Sequence, residues 1–271
     1  MIEVLQALVL GLVQGLTEFV PVSSSGHLVL GQRLFGWPHS LNMPFSVAVH
    51  MGTLLALLVF FREEWVALIR GFFTSLTTRP RDWVFDQRLA WMLVLASIPA
   101  ALAGALLGDT VEAHLQTPAW VAVFLAVGAL AMLAAELWGS RSRGFDGLRA
   151  SDAGIVGTAQ ALALAPGISR SGITISGGML AGLDREAAAR FAFLISAPVI
   201  AGAGLWEGQK LARSGLGGNA GVFIAGFAAS AVTGFIAIKL MLAYLRKHTL
   251  APFIIYRFAL AAVVILVLAV S

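Results

Sequence analysis

Apolar residues run along this chain in long blocks, and the polar residues that interrupt them gather in two places with matching spacing. Apolar runs cover about 41–61, 89–108 and 119–138 in the first half, and about 190–207, 220–240 and 251–270 in the second. The stretches Ser40–Phe61, Leu89–Gly108, Ala113–Ala135 and Ser214–Ile238 contain no Asp, Glu, Lys or Arg. As helices, runs of about 20 such residues cross a hydrocarbon layer roughly 30 Å thick. A soluble chain of 271 residues could bury one of them, but not four. The pattern predicts an all-α polytopic membrane protein with about six transmembrane helices.

Residues 2–34 and 153–183 read differently. Each holds two short apolar pieces, broken by Pro21 and a Ser run in one and by Pro166-Gly167 and a Ser/Arg run in the other. Proline removes a backbone donor and glycine weakens a helix, so each pair is expected to turn back within the membrane as a re-entrant unit. The two units share their lettering. Gly11-x-x-Gln14, Pro21, Ser23-Ser24-Ser25-Gly26 and Gly31 are answered by Gly157-x-x-Gln160, Pro166, Ser169-Arg170-Ser171-Gly172 and Gly177. Counted from each Gln, the Ser-x-Ser-Gly block falls at +9 to +12 and the later Gly at +17, while the Pro slips from +7 to +6.

Loop charge gives the halves a direction. The 62–88 segment carries Arg62, Arg70, Arg79, Arg81 and Arg88, and the 139–152 segment Arg141, Arg143 and Arg149, whereas 109–118 carries Asp109 and Glu112 without Lys or Arg. The positive-inside rule makes the first two cytoplasmic and the third external. The first re-entrant unit then enters from outside and the second from the cytoplasm, so 1–140 and 150–271 form two inverted-topology repeats. Lys210 and Arg213 in the expected outer loop 207–219 run against this rule; Lys239, Arg246 and Lys247 in 239–250 agree with it.

Composition narrows the function. Apolar residues make up 59% of the chain and charged ones 12%, with a mean hydropathy of +0.88. The net charge of +4 comes from loop Arg and Lys, which suits an anionic leaflet, and no basic run interleaved with aromatics suggests nucleic-acid binding. With no Cys there are no disulfides, thiolate metal sites or Cys nucleophiles. The opening Met-Ile-Glu-Val lacks a positive n-region and reads as mature sequence. Glu136, Trp65, Trp83, Trp120 and Trp138 sit near span ends and are read as interface anchors, and His50, alone in its span, as a packed polar residue. Gly-x-x-x-Gly pairs such as Gly104/Gly108 and Gly178/Gly182 suit helix packing and are compatible with a homodimer.

Opposed re-entrant units bring their tips together near the midplane. The N–H groups of Ser24–Gly26 and Ser171–Thr174 would then face one cavity, as helix N-termini that bind phosphate do. Arg170 adds a fixed charge with a fork that matches phosphate oxygens. Gln14 and Glu18, four apart, share a helix face and could hold Mg²⁺ or Ca²⁺ through oxygen. Ser24 and His27, three apart, supply a hydroxyl and an imidazole. Ser23, Ser25, Gly26, Ser169, Ser171, Gly172 and Thr174 complete the expected phosphate-binding set. These are parts for phosphoryl transfer, with Ser24, His27 or water left open as the nucleophile. A transporter or lipid flippase also fits inverted repeats with broken helices. Asymmetry weighs against it, because Glu18 and His27 are matched in the second repeat by Leu164 and Ile173. Ser25-Gly26-His27 also resembles the central motif of the type 2 phosphatidic acid phosphatases, but that family's flanking motifs fail here: Phe72 stands where Lys is wanted and Met43 where Asp is wanted.

The segments Gln14-Gly15-Leu16-Thr17-Glu18-Phe19-Val20-Pro21-Val22-Ser23-Ser24-Ser25-Gly26-His27 and Pro166-Gly167-Ile168-Ser169-Arg170-Ser171-Gly172 resemble the two signature motifs of the undecaprenyl-diphosphate phosphatase family, also called bacitracin-resistance proteins. The likeness runs nearly end to end and includes the closing Pro252-Phe253-Ile254-Ile255-Tyr256-Arg257-Phe258. It implies hydrolysis of undecaprenyl diphosphate to the monophosphate and phosphate, which recycles a lipid carrier for peptidoglycan synthesis and confers bacitracin resistance. It also implies a divalent cation, Mg²⁺ or Ca²⁺, and an active site opening to the periplasmic face of the bacterial cytoplasmic (inner) membrane. Carried over, the resemblance makes Glu18, Ser24, His27 and Arg170 catalytic, with Ser169 beside them. Gln14 stands where some members carry Glu, which favours a ligand or positioning role there.

Overall fold

The computed structural model describes residues 2–34, 43–214 and 220–270. Among these there are eleven α-helices and no β-strand: α1 (Ile2–Phe19), α2 (Ser24–Leu34), α3 (Met43–Phe60), α4 (Arg62–Ser75), α5 (Phe85–Leu115), α6 (Pro118–Trp138), α7 (Ala150–Leu162), α8 (Arg170–Leu180), α9 (Arg185–Ser214), α10 (Ala220–Leu245) and α11 (Ala251–Val270). Five segments are long and apolar enough to cross a bilayer: Phe85–Val111, Pro118–Trp138, Arg185–Trp206, Ala220–Leu245 and Ala251–Val270. Leu106, Leu205 and Val270 are among the side chains left bare along them, as expected where lipid is the solvent. The chain is an all-α, multi-pass membrane protein.

The sixth expected span departs from the sequence pattern. Residues 41 and 42 lie outside the described set. Beyond them, Phe45–Phe60 ends in a bend of 82° and continues as Arg62–Ser75. The hinge residue Phe61 is buried and edge-on to Phe60, with ring centroids 4.9 Å apart. The 62–88 segment, expected as a loop, thus begins with a helix. Arg62, Glu63 and Glu64 occupy its first turn, and Leu68, Gly71 and Ser75 form its buried face. Gly71 lets α4 lie against the start of α5: a Cβ there would stand 3.0 Å from the Asp86 backbone. Trp91 donates to Ser75 Oγ at 2.9 Å and Gln87 to Thr74 Oγ1 at 3.1 Å across the same contact. Two other loops shrink, because α5 runs on to Leu115 and α9 to Ser214; residues 215–219 of the expected outer loop lie outside the described set.

The first glycine of each Gly-x-x-Gln motif has a packing role. Helix α1 lies along α10 and α7 along α5. A Cβ on Gly11 would meet the Gly226 carbonyl and stand 2.9 Å from Ala229 Cβ, and one on Gly157 would stand 2.7 Å from both Cα and O of Ala96. Both pairs therefore touch backbone to backbone. Gly178 likewise admits Ala188, whose Cβ would lie 2.9 Å away, whereas Gly104 and Gly108 meet no described atom within 4 Å. The main apolar core includes Phe19, Met132, Ile175, Met179 and Phe193.

Glu136 has a larger role than interface anchor. Its carboxylate accepts from Arg185 Nε at 2.8 Å, Arg141 at 2.9 Å and the Leu250 N–H at 2.7 Å, tying the end of α6 to the starts of α9 and α11. Nearby, Arg143 makes a two-pronged pair with Asp152 at 2.7 and 2.9 Å, joining the α6–α7 connection to α7. The Asp152 bonds hold the Arg143 proton more tightly than an ordinary guanidinium does.

Candidate active site

The two broken helix pairs have the same local build. Ser23 and Ser169 precede α2 and α8 in the left-handed region, at φ 76° and 71°. Each hydroxyl accepts the N–H of the glycine three residues on, Gly26 or Gly172, at 3.2 Å, and each lies 3.3 Å from the hydroxyl two residues on, Ser25 or Ser171. Those glycines leave room for the cap, since a Cβ on either would approach the Ser Oγ to 3.2 Å. L-residues at such φ values cost on the order of 1–3 kcal/mol, and such strain clusters at functional sites. Ser24 and Arg170 are therefore equivalent residues: each opens its short helix, and each stands ten places after its Gln.

Their side chains converge on one carboxylate. Glu18, 6% exposed, accepts from Ser24 Oγ at 2.7 Å and from Gln14 Nε2 at 2.8 Å on one oxygen, and pairs with Arg170 through the other. Glu18, Ser24 and Arg170 line a cavity with a volume of about 180 Å³, whereas Gln14, fully buried, is not part of its lining. Thr17, Ser23, Ser25, His50, Gln160, Leu164 and Ser169 also line it. Four backbone N–H groups, of Ser24, Ser25, Arg170 and Ser171, precede the helical bonding of α2 and α8; those of Gly26, His27, Gly172 and Ile173 are taken by Ser23 and Ser169.

Other expected site residues stand apart from the lining. Gly26 and Gly172 sit behind their caps. Ser171 Oγ lies 3.3 Å from the Val20 carbonyl, and Thr174, fully buried, bonds back to the Arg170 carbonyl at 2.6 Å. His27 is turned toward α11. Its Nδ1 meets the Ser23 carbonyl at 2.7 Å and its Nε2 the Tyr256 hydroxyl at 2.6 Å. The imidazole inside the cavity is His50 instead. Its Nδ1 donates to the Ser46 carbonyl at 2.7 Å, and its Nε2 lies 3.7 Å from Glu18. Gln160 is the second residue passed over as a site candidate: its Nε2 reaches the Ala96 carbonyl at 3.3 Å, and its buried Oε1 has no partner among the described residues. The repeat lettering contained that signal.

The donor set can be tested against a divalent cation. No group of three or more His, Cys, Asp or Glu suited to a metal occurs among the described residues. Hard cations also accept one carboxylate with neutral oxygens, water and substrate phosphate. The buried Gln14 Oε1 has no donor among the described residues and belongs to the residue already bonded to Glu18. The residues present thus offer a hard cation one carboxylate, Glu18, and one amide oxygen, that of Gln14.

A multi-pass membrane protein with a carboxylate, a hydroxyl and an arginine gathered between two helix N-termini has the parts of an integral-membrane phosphoryl-transfer site. The family model described as "Bacitracin resistance protein BacA" matches residues 7–263, and the chain belongs to that family. Proteins named undecaprenyl-diphosphatase are among those it is similar to. That of Rubrobacter xylanophilus is 48% identical over 97% of this chain and 98% of the relative. That of Moorella thermoacetica is 44% identical over 97% of each, and that of Thermodesulfovibrio yellowstonii 40% over 97% of each.

Proposed function

We propose that this protein is an undecaprenyl-diphosphatase that hydrolyses undecaprenyl diphosphate to undecaprenyl phosphate and phosphate, recycling a lipid carrier for cell-wall synthesis and so conferring bacitracin resistance. The observation that carries the mechanism is the Ser24–Glu18–Arg170 contact, in which Ser24 Oγ donates at 2.7 Å to a carboxylate whose other oxygen holds the arginine. A nucleophile within hydrogen-bond reach of its base is the arrangement that general-base catalysis requires.

In this reading the terminal phosphoryl group enters the cavity and draws Arg170 away from Glu18 onto its own oxygens. That exchange frees the carboxylate to take the Ser24 proton. Ser24 Oγ attacks the terminal phosphorus, the bond to the bridging oxygen breaks, and the lipid monophosphate leaves. Water then cleaves the phosphoserine, releasing phosphate and restoring the hydroxyl. The N–H groups of Ser24, Ser25, Arg170 and Ser171 hold phosphoryl oxygens, with Ser23, Ser25 and Ser169 around them. A loose transition state needs mainly such positioning and charge neutralisation. Gln14 and the Glu18 oxygen that Arg170 gives up would hold the divalent cation, which when bound would neutralise phosphate charge, leaving the other Glu18 oxygen to Ser24. His27 supports the Ser23 carbonyl from behind.

The halves 1–140 and 150–271 are read as inverted repeats. The reciprocal contacts of α1 with α10 and α7 with α5, and the twin caps at Ser23 and Ser169, support that reading. Loop charge supports an active site opening to the periplasmic face of the inner membrane. The test is phosphate release from a long-chain isoprenyl diphosphate by purified protein in detergent, with Mg²⁺, with Ca²⁺ and with chelator. Cation-dependent release that Ser24→Ala and Arg170→Ala abolish is the expected result. No release from folded protein under any cation would overturn the proposal, and lipid flux would be measured next.

A further inference from the structure

Arg257 on α11 is fully buried, and among the described residues no carboxylate pairs with it. A charge at membrane depth costs several kcal/mol and persists where something needs it. All its bonds go to backbone carbonyls. Nη2 donates to Gly167 at 2.8 Å, Ile168 at 2.9 Å, Leu125 at 3.1 Å and Phe124 at 3.3 Å; Nη1 donates to Pro21 at 3.3 Å; Nε donates to Leu125 at 3.2 Å. Phe124 and Leu125 belong to α6. Pro21, Gly167 and Ile168 lie in the two chain breaks, where carbonyls have lost their helical partners.

The spacing of these acceptors gives the arrangement its meaning. Ile168 is two residues before Arg170, and Pro21 three before Ser24. One planar guanidinium therefore grips both breaks just ahead of the two residues that meet at Glu18. The slot it passes through is kept open by Gly128, where a Cβ would collide with the guanidinium and stand 2.5 Å from the Ile168 carbonyl. A lysine ammonium, a compact point donor, cannot span acceptors on three segments as the guanidinium fork does.

We propose that Arg257 is a positioning residue: it ties the break of each half to α6 and so sets the separation of Ser24 from Arg170. This rests on the phosphatase reading for its kinetic consequence, but its structural consequence is independent of that reading. A misplacement of about 1 Å in a catalytic constellation costs about 100-fold in rate.

The experiment compares Arg257→Lys, Arg257→Gln, Gly128→Ala and the Arg257→Gln/Gly128→Ala double variant with the parent protein, each checked for thermal unfolding in detergent. The expected result is a kcat lowered by about 10- to 100-fold in each single variant, with KM little changed and the protein folded. The double variant should fall no further than the worse single one, because both changes act through the same clamp. The chain has no cysteine, so nitroxide labels on Ser25→Cys and Leu164→Cys report the distance between the breaks without any activity. That distribution should broaden in Arg257→Lys. Parental kcat with an unchanged label distance in Arg257→Lys, or an additive double variant, would overturn the proposal. So would losses of kcat that merely follow the folded fraction. A parent that releases no phosphate yet shows the broadening would sink the phosphatase reading and leave the clamp standing.

Discussion

The rings of His27 and Tyr256 lie 4° from parallel with centroids 5.7 Å apart, and the tyrosine hydroxyl is bonded to Nε2. Because Nδ1 faces a carbonyl oxygen, it carries the proton, and Nε2 accepts from the Tyr256 O–H. Both ring nitrogens are occupied, away from the cavity. His27→Gln and Tyr256→Phe are each expected to lower stability by about 1 kcal/mol and to keep turnover within roughly tenfold of the parent. A far larger loss of phosphate release in folded His27→Gln would return the imidazole to the chemistry.

Ser24 should carry the phosphoryl group in transit. After rapid acid quench of a reaction with terminally labelled substrate, acid-stable label on the protein is expected, and none in Ser24→Ala. Acid-labile label that survives in Ser24→Ala would point to a histidine.

Arg170→Ala should lose about 2–4 kcal/mol of transition-state stabilisation, by analogy with other oxyanion donors, or roughly 30- to 1,000-fold in kcat/KM. Arg170→Lys retains charge but not the fork and should recover only part of that loss. Near-normal turnover of the alanine variant would remove Arg170 from the mechanism.

The caps at Ser23 and Ser169 combine a strained backbone with a helix bond, so glycine and alanine should behave differently there. Ser169→Ala keeps the positive φ and loses the cap, at about 1 kcal/mol. Ser169→Gly relieves the strain and loses only a few tenths as a cap. Thermal unfolding should therefore rank Gly at or above the parent and Ala below it; the reverse order would mean that the backbone is not strained.

Gly157→Ala forces a methyl into the Ala96 backbone of α5 and should cost about 1–3 kcal/mol by overpacking. Unchanged unfolding would show that α7 and α5 have room to separate.

The sequence displayed the six apolar runs and the doubled motif because both are local: one is composition, the other spacing. It also singled out Glu18 and Arg170, since a charge inside apolar sequence is conspicuous wherever it falls, and the family motif added Ser24 and His27. What it hid depends on long-range contact. Nothing within the 41–61 run says that His50 faces Glu18 rather than a neighbouring helix, and nothing near His27 announces Tyr256, 229 residues away. Helix α4 was masked by its own charges, because Arg62, Glu63, Glu64 and Arg70 make an amphipathic helix read as a loop. Gln160 was visible as a letter in the repeat, but not as an oxygen left without a donor among the described residues.

Glu18 and Arg170 lie 152 residues apart, in different halves. Chains are made from the N-terminus, so the carboxylate reaches the bilayer long before its counter-charge has been synthesised. Until α8 arrives Glu18 has only hydroxyl, amide and imidazole neighbours, and until α11 arrives the two breaks lack their common tie. The order of translation thus makes completion of the site a late event in assembly, and a chain truncated before α11 would carry Glu18, Ser24 and Arg170 without the guanidinium that bonds to both of their breaks.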